Sequence, residues 1–112
     1  MILDPAHLGR GDLYRFLIDV IAPRPIAFVS TRGRDGAANL APFSYFMPVS
    51  STPPLLALSF ASRRDDPKDT LRHIRETGEF VVNIVSEPLL DAMVRTSGDW
   101  PRGRSEFEVV GL

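Results

Sequence analysis

Apolar residues recur along the chain with two different spacings, and each spacing predicts a type of element. Residues 11–21 place apolar side chains three and four positions apart, the period of an amphipathic helix. These side chains are Leu13, Phe16, Leu17, Val20 and Ile21. We expect Asp12 to cap the helix. Pro23 and Pro25 end it, because proline lacks an amide hydrogen and disfavours helical backbone in the preceding residue.

Four later segments have the composition and alternation of β-strands. They are residues 26–31, 38–45, 55–62 and 79–85. The pair Asp35 and Gly36 suits a tight turn, so the first two strands are predicted to be antiparallel. The stretch SSTPP, residues 50–54, is predicted to be an irregular connection.

A second helix is marked by its end signals in residues 66–78. Asp66 can cap it, Pro67 fits its first position and Asp69 favours the positive end of its dipole. Gly78 suits a left-handed stop. The side chains predicted to face inward are Leu71, Ile74 and His73.

The remaining sequence predicts one more helix and one more strand. Residues 86–97 read as a third helix, with Ser86 as its cap and Pro88 in its first turn. The ending EFEVVGL, residues 106–112, is typical of the approach to a strand. Strands interleaved with short helices, two of them in a hairpin, predict an α+β, mainly β domain around an antiparallel sheet or barrel.

The composition limits the classes of function. A chain of 112 residues forms one domain, and its net charge of −1 gives no global attraction to nucleic acid or anionic membrane. There is no cysteine and there are only two histidines, His7 and His73, so no metal site is predicted. The N-terminus has no signal-peptide pattern and no apolar run reaches membrane-spanning length, so we expect a cytoplasmic protein.

Pro42 lies inside the second predicted strand, and it carries the first candidate site. A proline there indicates a sheet edge or a bulge. The amides of Asn39, Ala41 and Ser44 could then face a flat heteroaromatic ring, which the small side chains would let approach. Alternatively, Pro42 only protects a sheet edge and Asn39 belongs to the turn.

The second candidate site is the basic loop of residues 62–70, which leads into the second helix. A helix N-terminus favours an anion, and a phosphate is the natural ligand. The groups that could bind it are Arg63 and Arg64 as forks, Lys68 as a point charge, and the hydroxyls of Ser62 and Thr70. Alternatively, the loop is a solvated surface, because Asp65, Asp66 and Asp69 nearly cancel its positive charge.

Four motifs in order resemble the flavin reductase-like family of FMN-binding split-barrel proteins. They are PRPIAFVST, NLAPFSYF, STPPLLALSF and PKDTLRHIRETGEFVVNIV, and the likeness runs from Pro23 to the C-terminus. The resemblance implies an antiparallel, Greek-key-like split β-barrel, a homodimer with FMN near the subunit interface, and NADH or NADPH as electron donor. Family members continue past the position of Leu112, so residues 1–112 are expected to form a single domain that is truncated at its C-terminus.

The resemblance also implies which residues contact the cofactor. The isoalloxazine ring would lie against Asn39, Leu40, Ala41, Pro42 and Ser44. The ribityl chain and phosphate would meet Ser62, Arg63, Arg64, Lys68 and Thr70. No catalytic side chain is expected, because flavin and nicotinamide carry the redox chemistry.

Three functional hypotheses follow from the sequence. The first is an FMN-dependent, NAD(P)H-oxidising enzyme of the flavin reductase type, which passes electrons to an acceptor or oxygenase. The second is a protein that binds or stores FMN without turnover. The third is a truncated fragment without cofactor.

Overall fold

A computed structural model of the chain describes residues 2–61, 68–101 and 103–112. It contains five strands and four α-helices in these residues, with 3₁₀ turns at Pro5–His7 and Glu87–Leu89. In chain order they are α1 (Arg10–Val20), β1 (Ala27–Arg32), β2 (Ala38–Phe43), β3 (Phe46–Ser51), β4 (Pro54–Leu58), α2 (Asp69–Thr77), β5 (Val81–Asn83), α3 (Leu90–Thr96) and α4 (Glu106–Val110).

β1 is the middle strand of a three-stranded antiparallel sheet with the order β2, β1, β5. Its register sets Ala27 opposite Phe43 and Arg32 opposite Ala38 in β2, and Val29 opposite Val82 in β5. The antiparallel pairing of the first two predicted strands is confirmed. β2 has a single strand neighbour among the described residues, so Pro42 lies on a sheet edge as predicted.

β3 and β4 form a separate antiparallel hairpin, and the sequence did not predict β3. The stretch expected to be an irregular connection forms the tip of this hairpin, where Ser51 pairs with Pro54. The prolines disfavour a strand in general. In the described part of the chain, however, β3 and β4 have only each other as strand neighbours, and edge strands tolerate proline. A register shift between Pro48 and Ser50 absorbs the irregularity. β4 is also shorter than expected and ends at Leu58, and Ser62 lies outside the described residues.

The core forms between one face of the sheet and the base of the hairpin. Ala27, Val29 and Phe43 are buried on this face, and Phe46, Leu58 and Phe60 pack against them. The rings of Phe43 and Phe60 meet edge to face, with their centroids 4.8 Å apart. The outer part of the hairpin projects from this core with about half of each large apolar side chain exposed, namely Met47, Val49, Leu55 and Leu56.

The first two helices lie close to their predicted positions. α1 begins at Arg10, three residues before the start that a cap at Asp12 implies, and Gly9 occupies the cap position, which places Asp12 in the first turn. α2 begins at Asp69 behind Lys68 and stops at Gly78, whose φ of 75° confirms the left-handed end. The predicted cap Asp66 and first-turn Pro67 lie outside the described residues. Thr70 and His73 are the buried residues of α2, whereas the two predicted aliphatic side chains, Leu71 and Ile74, are only half-buried.

The C-terminal part contains the clearest error of prediction. The third predicted helix is a 3₁₀ turn behind Ser86 that continues into α3. The segment expected to approach a strand is the helix α4. Its end signal was present in the sequence, because Gly111 stops α4 in the left-handed conformation with φ of 73°. In the described part of the chain no helix has the length and apolarity to cross a bilayer.

Candidate functional site

The two candidate sites predicted from sequence meet where β2 passes the beginning of α2. The side-chain amide Nδ2 of Asn39 donates a hydrogen bond of 2.8 Å to Oγ1 of Thr70. Near this bond, at the end of β2, the Lys68 ammonium lies 5.1 Å from the centroid of the Phe43 ring. The proposed ring-binding strand and the described end of the proposed phosphate loop are therefore adjacent.

Asn39 and Thr70 are buried and form a hydrogen bond with each other. Their exposed fractions are 6% and 1%. Since a buried polar group must find a partner, this bond fastens the helix start to the strand. The two side chains thus join β2 to the start of α2 on the buried side of the site.

The outer edge of β2 is occupied at Leu40. The backbone N–H of Leu40 donates to Oε2 of Glu106 in α4 over 3.2 Å. In an antiparallel pair successive residues alternate between facing the partner strand and facing away, so Pro42 also faces outward and its missing N–H costs the ladder nothing. The same alternation directs the amides of Asn39 and Ala41 towards β1. They are therefore not the free groups that the proline suggested.

Glu106 is the functional candidate that sequence reasoning missed. Burial raises the pKa of its carboxyl and Asp69 acts in the same direction, while the backbone N–H groups of Glu106 and Leu40 and the neighbouring His73 lower it. A helical reading of the C-terminal segment was the signal that could have found it. That reading would have placed Glu106 at the start of α4, as the structure does.

His73 organises a second buried network behind the same strand. Its exposed fraction is 2%, its Nδ1 lies 3.2 Å from Oγ1 of Thr31 and its Nε2 lies 3.3 Å from Nη2 of Arg72. A guanidinium only donates, so in the neutral ring Nε2 accepts and Nδ1 carries the proton. Arg72 is held in turn by Asp69 and Glu76. His73 is buried, which confirms the prediction that it faces inward.

Two clefts flank the β2 region. A polar cleft of about 400 Å³ lies between β2, α2 and α4, and its wall includes Asn39, Arg72 and Glu106. A more apolar cleft of about 520 Å³ lies between α1 and the base of the hairpin and includes Ser44 and Tyr45. A flat ring system with a charged tail needs both an apolar wall and a cationic group, and the described residues provide both near β2.

The described members of the predicted contact set therefore fall into two groups. Asn39, Leu40, Ala41, Pro42 and Ser44 lie on β2 or just after it, and Lys68 and Thr70 lie at the start of α2. Ser62, Arg63 and Arg64 lie outside the described residues. In the regions that the structure describes, no cluster of three or more histidines or carboxylates could hold a metal ion.

Comparison with solved structures identifies the architecture. Nitrilotriacetate monooxygenase component B from Bacillus cereus superimposes with a TM-score of 0.93 at 37% identity, over 99% of this chain and 55% of that one. A structure from Shewanella frigidimarina described as having a split barrel domain superimposes with a TM-score of 0.80 at 24% identity, over 99% and 56%. The fold is a split barrel with short helices.

Sequence comparison agrees with this result. An uncharacterized protein of Halalkalibacterium halodurans is 43% identical over all of this chain and 54% of its own length. The chain spans about half the length of the curated relatives it matches. The family model described as "Flavin reductase like domain" matches residues 21–112. The chain therefore belongs to the flavin reductase-like family.

Proposed function

We propose that the chain forms the FMN-binding part of a cytoplasmic, NAD(P)H-dependent oxidoreductase of the flavin reductase type. This proposal rests mainly on one observed contact between the two segments. The hydrogen bond between Asn39 and Thr70 joins β2 to the beginning of α2. The segment assigned to the flavin ring thereby lies beside residues 68–70, the described end of the segment assigned to its phosphate.

The residues of the chain bind and orient the cofactor in this proposal. Lys68 at the start of α2 supplies positive charge where the helix dipole already favours an anion, together with Arg63 and Arg64. Residues 40–42 and Ser44 form the wall for the ring. Bound FMN supplies the hydride chemistry, so no side chain has to transfer a proton.

We also propose a homodimer with FMN near its interface. Residues 37–62 contain no charged side chain, although charged residues make up 24% of the chain. This stretch includes the outer hairpin with its half-exposed Met47, Val49 and Leu56. Two copies of an uncharged apolar surface can pair without like-charge repulsion, which supports self-association.

The proposal is tested by titrating the purified protein with FMN and following flavin fluorescence. We expect saturable binding, and a loss of affinity of at least about tenfold in the double variant Arg63→Ala and Lys68→Ala, because charge-assisted hydrogen bonds to the phosphate are lost. The matched control is Arg10→Ala with Arg15→Ala, which removes two cations from the exposed side of α1.

Two outcomes would contradict the proposal. The folded protein could fail to bind FMN, or the double variant could bind as tightly as the control. Bleaching of bound flavin by NADH or NADPH then separates an enzyme from a protein that stores FMN without turnover. Bleaching supports the enzyme, and stable oxidised flavin supports storage.

A further inference from the structure

The carboxylate of Glu106 bridges the start of α4 and the outer edge of β2. It accepts the Leu40 amide at 3.2 Å and also interacts with its own backbone N–H at the first position of α4. One side chain therefore links two elements that are 66 residues apart in sequence.

This hydrogen bond satisfies the Leu40 N–H, which faces no other strand of the sheet. Leu40 is buried, and its N–H points away from β1. A buried N–H without a partner is strongly unfavourable, so the strand needs an acceptor at this place. Pro42, the next outward-facing residue, has no N–H to anchor. Glu106 thus makes the one side-chain anchor that the described residues give to the outer backbone of residues 40–42.

The charged and titratable side chains around Glu106 leave its carboxylate bound to the Leu40 amide. α2 presents Asp69, Arg72 and His73 to the cleft in which the carboxylate lies, and the C-terminal segment presents Arg104 and Glu108. Arg72 is already paired with Asp69 and Glu76. Besides its own backbone N–H, the Leu40 amide is therefore the direct hydrogen-bond partner of Glu106 in this cleft.

We infer that Glu106 is a positioning residue for the flavin site: it fixes the backbone of residues 40–42 in the place where that backbone meets the ring. This inference rests on the proposed function, since it assigns to Glu106 control of the affinity of that same site. Glu106 does not touch the cofactor and acts through Leu40.

The test combines two measurements on the same variants. Amide hydrogen exchange at Leu40 is measured by NMR in the flavin-free protein, and FMN affinity is measured by fluorescence titration. Glu106→Ala is expected to speed exchange at Leu40 at least about tenfold and to weaken FMN binding by about tenfold, because a hydrogen bond to a charged acceptor is lost.

Two further variants separate positioning from general damage. Glu106→Gln keeps an acceptor oxygen, so both quantities should stay within about threefold of wild type. Glu108→Ala removes an exposed carboxylate from the same helix and should change neither. If Glu106→Ala does not fold, Glu106→Asp replaces it, since the shorter side chain lengthens the bond and should weaken both quantities.

Each result decides the inference. Unchanged exchange at Leu40 in a folded Glu106→Ala protein would overturn it. So would faster exchange with unchanged FMN affinity, and so would a Glu106→Gln protein as impaired as the alanine variant. Absence of FMN binding in the wild type would instead remove the proposed function, while the exchange data would still report whether Glu106 holds the strand.

Discussion

At the scale of single residues, the candidate site depends on buried polar pairs. Asn39 and Thr70 satisfy each other, and His73 is satisfied by Thr31 and Arg72. The contacts of Asn39 with Thr70 and of Thr31 with His73 each join a strand of the sheet to α2. Side chains that appear polar and ligand-like in the sequence are therefore used first to build the scaffold on which a ligand can lie.

Thr70→Val is expected to destabilise the protein by about 1–3 kcal/mol, because it leaves the buried Asn39 amide without its acceptor. The loss is measured as the change in free energy of unfolding in urea. Thr77→Val makes the same chemical change at an exposed position of the same helix. It removes a hydroxyl that donates to the His73 backbone oxygen, but solvent can replace this bond, so the loss should be less than about 0.5 kcal/mol. Equal losses in the two variants would show that the buried pair has no special weight.

At the scale of elements, the turn between β1 and β2 packs closely on α2. A Cβ atom at Gly33 would lie 2.9 Å from Nε2 of His73 and 2.6 Å from Oδ1 of Asp35. The Nε of Arg34 in the same turn donates to the backbone oxygen of Glu76 at 2.9 Å. The turn and the helix are thus fitted to each other without room for a further methyl group.

Gly33→Ala is expected to lower the stability of the fold by about 1–3 kcal/mol, since His73 is buried and held on both ring nitrogens and cannot easily give way. Thermal unfolding measures the effect. A Cβ atom at Gly11, the second residue of α1, would meet no atom within 4 Å, so Gly11→Ala should raise stability slightly, by about 0.5 kcal/mol or less. A neutral Gly33→Ala would mean that the turn can move away from the helix.

Elements whose signals are local could be predicted from the sequence. α2 has a left-handed glycine at its end, and β1 has a compact β-rich sequence, and both occur as expected. β3 and α4 were missed for physical reasons. Three prolines in and around the hairpin oppose regular strands in general, but free edges tolerate them. α4 has only five residues. In so short a segment the helical spacing of apolar side chains cannot be distinguished from the alternation of a strand.

The candidate site was predictable only in part. The meeting of residues 39–44 with the start of α2 followed from the family resemblance. The alternation that turns the Asn39 and Ala41 amides towards β1, and the reach of Glu106 to Leu40, both depend on register and on a contact across 66 residues. No local pattern in the sequence predicts a contact between residues so far apart in the chain.

At the scale of the whole molecule, the outer hairpin is the surface that we propose as the dimer interface. Leu56→Glu places a charge on this surface, where the leucine is 55% exposed. We expect the variant to be monomeric at concentrations where the wild type is dimeric, because two copies of the charge would face each other and lose hydration. Light scattering coupled to size-exclusion chromatography measures the mass.

Leu90→Glu in α3 is the matched control, since that leucine is 50% exposed and lies outside the hairpin. It should remain dimeric. A monomeric wild type, or a Leu56→Glu protein that is as dimeric as the control, would contradict the proposed interface.

The central place of β1 also determines the order in which the sheet can assemble. Its partner β2 follows after residues 33–37, whereas Phe28 of β1 and Asn83 of β5 are 55 residues apart. Closing the short loop loses less chain entropy than closing the long one, by about 2 kcal/mol for a roughly tenfold difference in loop length. The pairing of β1 with β2 is therefore available as soon as both strands leave the ribosome, while the other side of β1 has to wait for more than thirty further residues to be synthesised.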